Sequence, residues 1–165
     1  MDCLELARAM IAINSVTSRT NAEIAHLMRR ELEGLKFTIE QIEYIDSQQL
    51  PKVAIIGRRG PQPSSTANGS GGGIVYCCHN DVVSVEGWNA PHGGPFDSVV
   101  AEGKLWGRGA CDMKGSAAAA MAAIARIPIE QQRSPIYFLI TGDEESGMQG
   151  AKTIAVQSTL FAEMV

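Results

Sequence analysis

Five consecutive apolar residues, Ile136-Tyr137-Phe138-Leu139-Ile140, run into three acids, Asp143-Glu144-Glu145. The run reads as a buried strand, and adjacent glutamates at the end of such a strand are costly unless something positive binds them. Carboxylate oxygens and a divalent cation offset each other's desolvation, so a metal ion fits the position. An acidic loop end that simply faces water is the competing reading. What decides between them is the company the three acids keep.

Around that strand, helical and extended patterns alternate. Leu4, Ala7 and Ile11 recur at helical spacing over 2–13; Ile24, Leu27, Met28 and Leu32 do so over about 20–34, where Gly34 ends the helix. Residues 37–44 alternate with period two, as a half-exposed strand does. Residues 53–57 and 73–78 read as further strands, and 98–100 with 104–106 as a short pair turned at Glu102-Gly103. The alanine-rich stretch 115–127 predicts a helix that Pro128 ends, its side chains small enough to lie close to a sheet. The apolar strand spans 136–141, a last helix covers about 148–157, and 161–165 resembles the start of another strand. Such alternation predicts a layered α/β fold with a mostly parallel sheet. Residues 60–72 hold no aromatic or large aliphatic side chain and can bury nothing. Flanked by apolar strands, they read as a flexible hairpin connection and not as a domain boundary.

The 165 residues suffice for one domain with a core. A net charge of −4 points away from nucleic acid and from anionic membrane surfaces. No stretch reaches the roughly 18 consecutive apolar residues of a bilayer-spanning helix. Asp2, Glu5 and Arg8 interrupt the N-terminal apolar pattern in a way unlike a signal peptide. A cytoplasmic protein without a membrane partner is the expectation. Four cysteines, Cys3, Cys77, Cys78 and Cys111, show no C-x-x-C spacing. Cys77 and Cys78 would face opposite sides of a strand, poor geometry for sharing a metal. They read as reduced, buried thiols.

Two upstream segments carry candidate chemistry. His79-Asn80-Asp81 follows the apolar strand, and residues two apart in an extended chain project the same way. A ligating imidazole gives its other ring N–H to a carboxylate or carbonyl, and Asp81 could supply that partner. The alternative is a loop-end histidine beside an unrelated carboxylate. Gly107-Arg108-Gly109-Ala110-Cys111-Asp112-Met113-Lys114-Gly115 leads from a strand end into a helix start, where ligands gather in α/β sheets. Asp112 could bridge two cations or cap the helix. Phosphate cradling is discounted because the Walker spacing is absent. One imidazole with several carboxylates suits two zinc-like ions better than a thiolate site. One glutamate of the pair could ligate while its neighbour acts as general base. His26 and His92 read as solvated or ion-paired surface histidines, with substrate contact a second possibility for His92.

His79-x-Asp81-Val82-Val83, Trp88 with Pro95-Phe96, Gly107-Arg108-Gly109-x-x-Asp112-Met113-Lys114-Gly115 and Asp143-Glu144-Glu145 together resemble the co-catalytic zinc amidohydrolases. That family includes acetylornithine deacetylase, succinyl-diaminopimelate desuccinylase, aminoacylases and glutamate carboxypeptidases. The resemblance implies two Zn2+ ions, for which Co2+ could substitute. His79 would be a terminal ligand of one ion, Asp112 the bridge and Glu145 a terminal ligand of the other. Glu144 would be the general base and acid, and Asp81 the residue that orients His79. A cis peptide between Asp112 and Met113 is implied as well. The implied fold is a three-layer α/β/α sandwich with a mixed, mostly parallel sheet, here incomplete.

The implied reaction is hydrolysis of the amide of an N-acyl amino acid by zinc-activated water, as in arginine or lysine biosynthesis. Residues 94–96 and Cys111 resemble deacetylases slightly more, residues 139–145 desuccinylases. A dipeptidase or aminoacylase of the same family, or a non-catalytic binding module derived from it, are the alternatives. Cys78 and Ser84 depart from residues common in the family, and 60–72 is longer than usual. The resemblance makes residues 1–165 the N-terminal portion of a catalytic domain. A further acidic ligand, a late histidine and an inserted lid that forms a homodimer would lie beyond Val165; Glu163 comes too soon to replace them. With two protein ligands per zinc instead of three, the chain alone is expected to bind metal weakly and to be inactive.

Overall fold

Strand β6 (Ile136–Thr141) is buried at every residue, and the rest of the fold arranges itself to cover both its faces. The computed structural model describes residues 1–62 and 73–162. Helices α1 (Cys3–Ala12) and α2 (Ala22–Gly34) precede strands β1 (Thr38–Ile45), β2 (Pro51–Arg59) and β3 (Ile74–His79). A short hairpin follows, β4 (Val99–Ala101) with β5 (Lys104–Trp106), then helix α3 (Gly115–Ala125). After β6 come α4 (Gln149–Gln157) and the single turn α5 (Thr159–Ala162).

The main sheet has the order β1-β2-β6-β3, with β6 antiparallel to β2 and parallel to β3, and β1 antiparallel to β2. It is mixed, and among the described residues the parallel share is one pairing of three. The hairpin expected between β2 and β3 does not form, because β6 lies between them. The physical reason is the apolar content of β6: only a central position buries both faces. Strand β3, whose Ile74 and Val75 are exposed, borders β6 and no other strand among the described residues.

Alternate residues of the central strands feed two cores. Ile55, Cys78, Ile136, Phe138 and Ile140 pack against Met10 of α1, Met28 and Leu32 of α2 and Ala117, Ala118 and Met121 of α3. On the other face Ala54, Ile56, Tyr137 and Leu139 meet Ile154 and Leu160 of α4 and α5. The result is an α/β/α sandwich. The alanines of α3 let it approach the sheet and α1 closely, and Ala117 and Ala118 are fully buried.

A second expectation changes at the end of the chain. Residues 161–162 belong to α5 and not to a strand; residues 163–165 lie outside the described residues. The cause is long-range: the Glu40 carboxylate on β1 accepts bonds from the Thr159 and Leu160 peptide N–H groups, at 3.1 and 3.0 Å, and so caps the turn. Most of the 60–72 connection, residues 63–72, also lies outside the described residues. Among those described, no helix is long and apolar enough to cross a membrane.

Candidate metal centre

The parallel register Cys78↔Ile140 and His79↔Thr141 ends β3 and β6 at the same edge of the sheet. The loops that leave there carry His79-Asn80-Asp81 and the turn Glu144–Ser146. A third segment, Ala110–Lys114 between β5 and α3, brings Asp112 to the same place.

His79 is nearly buried, and its two ring nitrogens have different partners. Nδ1 lies 3.0 Å from the Asp81 carbonyl oxygen, so it carries the proton and donates. Nε2 lies 3.0 Å from Asp112 Oδ1 and 3.9 Å from Glu144 Oε2. In the neutral tautomer that contact would set a lone pair against a carboxylate, which needs a proton or a cation between them. Burial lowers the basicity of His79, but the Asp81 carbonyl, the Asp81 carboxylate and Asp112 outweigh it and hold the imidazole above its ordinary pKa. Burial, then Asp112, Asp81 and Glu144, push the Glu145 carboxyl upward against the opposing pull of His79. Ligand atoms of His79, Asp112 and Glu145 lie within 4.8 Å of one another. This donor set of one imidazole and carboxylates fits a divalent ion of borderline or hard character.

Asp81 divides its groups between two tasks. Its carbonyl orients His79, whereas its carboxylate, 3.7 Å from Nδ1 at Oδ1, accepts the peptide N–H groups of Glu144 and Glu145 at 3.2 Å each. Asp112 is not the N-cap of α3, a position held by Lys114; its backbone is extended and the Asp112–Met113 peptide is cis. Its carboxylate is exposed beside His79. A pocket of about 250 Å³ adjoins the centre, lined by His79, Met113, Thr141, Glu144 and Met148 among others.

The remaining sequence candidates stand apart. His92 faces Glu102 at 3.4 Å and the Trp106 ring at 5.0 Å, on the β4–β5 hairpin. His26 is exposed on α2. Of the cysteines only Cys78 is buried; Cys77 is exposed on β3, which borders the described sheet, Cys3 opens α1 and Cys111 lies in the segment Ala110–Lys114, both exposed. Burial pushes the Cys78 thiol up, away from the thiolate form.

Several supporting residues went unrecognised in the sequence. Lys114 is fully buried and donates to the Met10 and Ile13 carbonyls at 2.9 and 2.8 Å, tying the Asp112 turn to the end of α1. Burial lowers its pKa to about 8. Gly109, at φ +85°, leaves the space a side chain would take from Val82 and Lys114. Asn80 is fully buried between the Asn21 amide and the Ser15 hydroxyl. Their place inside or beside the motifs was the available signal; their partners, in α1 and the α1–α2 connection, were not.

The model of peptidase family M20/M25/M40 matches residues 76–163, which hold every residue of the centre. A succinyl-diaminopimelate desuccinylase of Caulobacter vibrioides is 37% identical over 163 residues, covering 99% of this chain and 38% of the relative. An acetylornithine deacetylase of Proteus mirabilis is 35% identical, covering 95% of this chain and 39% of the relative. The chain thus spans well under half the length of these curated relatives. Among solved structures, human carnosine dipeptidase 1 superposes with a TM-score of 0.75 at 23% identity, over 98% of this chain and 36% of that one. That likeness concerns the fold.

Proposed function

This chain belongs to peptidase family M20/M25/M40, and from that premise we propose that it carries the metal-binding edge of a zinc-dependent amidohydrolase acting on N-acyl amino acids. The observation that carries the reading is the convergence of His79, Asp112 and Glu145 within 4.8 Å, with Glu144 beside them. His79 and Asp112 would hold one zinc ion, Asp112 and Glu145 a second. Bound there, the ions would supply Lewis acidity toward an amide carbonyl and toward water.

The chain's own residues do the rest. Asp81 keeps His79 aimed through its carbonyl and holds the glutamate turn through its carboxylate. Glu144, partly exposed and adjoining the pocket, takes a proton from the attacking water and returns it to the leaving amine. A catalytic zinc usually has three protein ligands, and each ion would draw only two from the described residues. Donors from outside this set would complete the site, so weak binding and no turnover are the expectation for the 165 residues alone. The names of the similar proteins make N-succinyl-diaminopimelate and N-acetylornithine the substrates to try first.

The test is hydrolysis of both compounds, with Zn2+ or Co2+, by this chain and by any longer polypeptide containing it. The longer polypeptide is expected to cleave one of them, and its Glu144→Gln variant neither. Failure on both would refute the substrate class; full activity of Glu144→Gln would refute the role of Glu144.

A further inference from the structure

Below the glutamate turn lies a buried charge cluster that the roles above leave unused. Lys52 of β2 is 1% exposed and Asp143 2%. The Lys52 ammonium stands 2.7 Å from Asp143 Oδ1 and 3.5 Å from Asp46 Oδ2, and donates to the Thr17 carbonyl at 2.7 Å. Tyr44 of β1 donates its hydroxyl proton to Asp143 Oδ2 at 3.0 Å. Asp143, the first acid of the opening motif, is therefore not a fourth metal donor: its carboxylate is occupied by the sheet.

The position of this pair is informative. The β2–β6 ladder ends at Ile55↔Ile140. Beyond it the strands part, and the Asn21 side chain takes both backbone groups of Val53, accepting from its N–H at 2.8 Å and donating to its carbonyl at 2.8 Å. Lys52 stands three residues past Ile55 and Asp143 three past Ile140, so the ion pair joins two positions that the continued register would set opposite each other. A side-chain contact replaces the backbone ladder at the last residue before the two glutamates. Asp143 also takes a left-handed backbone, φ +62°, and its carbonyl accepts the Met148 N–H at 2.6 Å, closing the turn from the far side.

Resting on the metal-centre reading above, we infer that Lys52 and Asp143 form a positioning pair that sets where Glu144 and Glu145 stand relative to His79 and Asp112. Asp81 braces the turn from β3 through its peptide N–H groups; Lys52 braces it from β2 through the Asp143 side chain, with Tyr44 adding a tie to β1. Neither Lys52 nor Asp143 touches the reacting atoms. Their effect passes through the backbone of the turn.

The test is titration of the chain with cobalt(II), read as affinity and visible absorption, with thermal melts alongside. Asp143→Asn retains a residue that tolerates the left-handed backbone, and Lys52→Met removes the cation. Each is expected to weaken cobalt binding roughly tenfold, the lower end of losses seen for residues that orient ligands, and to alter the absorption. The double variant should be no worse than the weaker single one, because the two act as a unit. Glu40→Gln, which loosens α5 away from the centre, should lower stability and leave cobalt affinity and absorption unchanged. Singles that bind and absorb like the parent chain overturn the pairing role. If either single unfolds, Tyr44→Phe carries the test, and parental affinity and absorption there overturn it too. A parent chain that binds no cobalt, or a His79→Gln variant that binds as well as it, overturns the metal reading itself and this inference with it.

Discussion

Asp81→Asn exchanges one carboxylate oxygen for an amide nitrogen at the point where the centre is most tightly built. Asp81 is fully buried, and its oxygens accept the Glu144 and Glu145 peptide N–H groups at 3.2 Å each. Asparagine keeps one acceptor and sets a donor against the other N–H. A hydrogen bond to a charged acceptor contributes about 1.5–3 kcal/mol, and stranding its buried donor costs on the order of 1–3 kcal/mol. The two figures describe one lost bond and overlap, so a net loss of about 2–4 kcal/mol is expected. Typical domains have about 5–15 kcal/mol in hand, so the variant stays folded. At about 2–4 °C per kcal/mol for a chain of this length, Tm should fall by roughly 5–15 °C. The Asp81 carbonyl is untouched, so His79 remains aimed; a change in metal binding comes through the glutamates and through loss of the carboxylate charge beside the imidazole. Cobalt affinity should drop about 10- to 100-fold. Calorimetry and a cobalt titration read the two effects separately. An unchanged Tm would refute the hydrogen-bond argument, and a lowered Tm with undiminished cobalt binding would refute the link from Asp81 to the glutamates.

Glu145→Gln should weaken cobalt binding by isothermal titration, whereas Glu144→Gln should leave it near parental and lower amide hydrolysis by a longer polypeptide about 10²- to 10⁴-fold. Burial tends to raise the Glu40 carboxyl, but the bonds from Leu160, Thr159 and Ser158 outweigh it and hold its pKa below 4.5. With the folded value depressed, the stability Glu40 contributes is fully present above about pH 4.5 and is lost as pH falls through the lower folded value. Protection of the Thr159 and Leu160 amides against exchange, relative to their intrinsic rates, should therefore fall on acidification in the parent chain and be low at every pH in Glu40→Ala. Gly109→Ala places a Cβ 2.8 Å from Val82 Cγ1 at φ +85° and should cost roughly 1–3 kcal/mol, read as a lower urea midpoint.

The apolar run 136–141 announced β6 to the residue, and the helical spacing announced α1 and α2 within two residues at each end. Both are local: the side chains that report burial are the ones being placed. The metal-type donors His79, Asp112 and Glu145 could be named from residue chemistry and family resemblance, and their segments do converge. What periodicity could not contain was the order of the sheet. A hairpin between β2 and β3 and an intervening β6 put the same residues on the same faces, and only competition for the doubly covered centre separates them. The exposure of Cys77 escaped for a related reason, since it depends on which strand borders the described sheet.

Finer still, the sequence presents Asp143, Glu144 and Glu145 as three equivalent acids. Folding makes them unlike, because Lys52 and Tyr44, contributed by strands nearly a hundred residues earlier, meet the first and leave the others to face His79 and Asp112. Residue chemistry and family resemblance thus pointed to candidate donors and to the elements that carry them. Which carboxylate serves the fold and which face the centre was settled by partners distant in sequence, since a buried acid acquires its role from whatever charge the packed structure sets beside it.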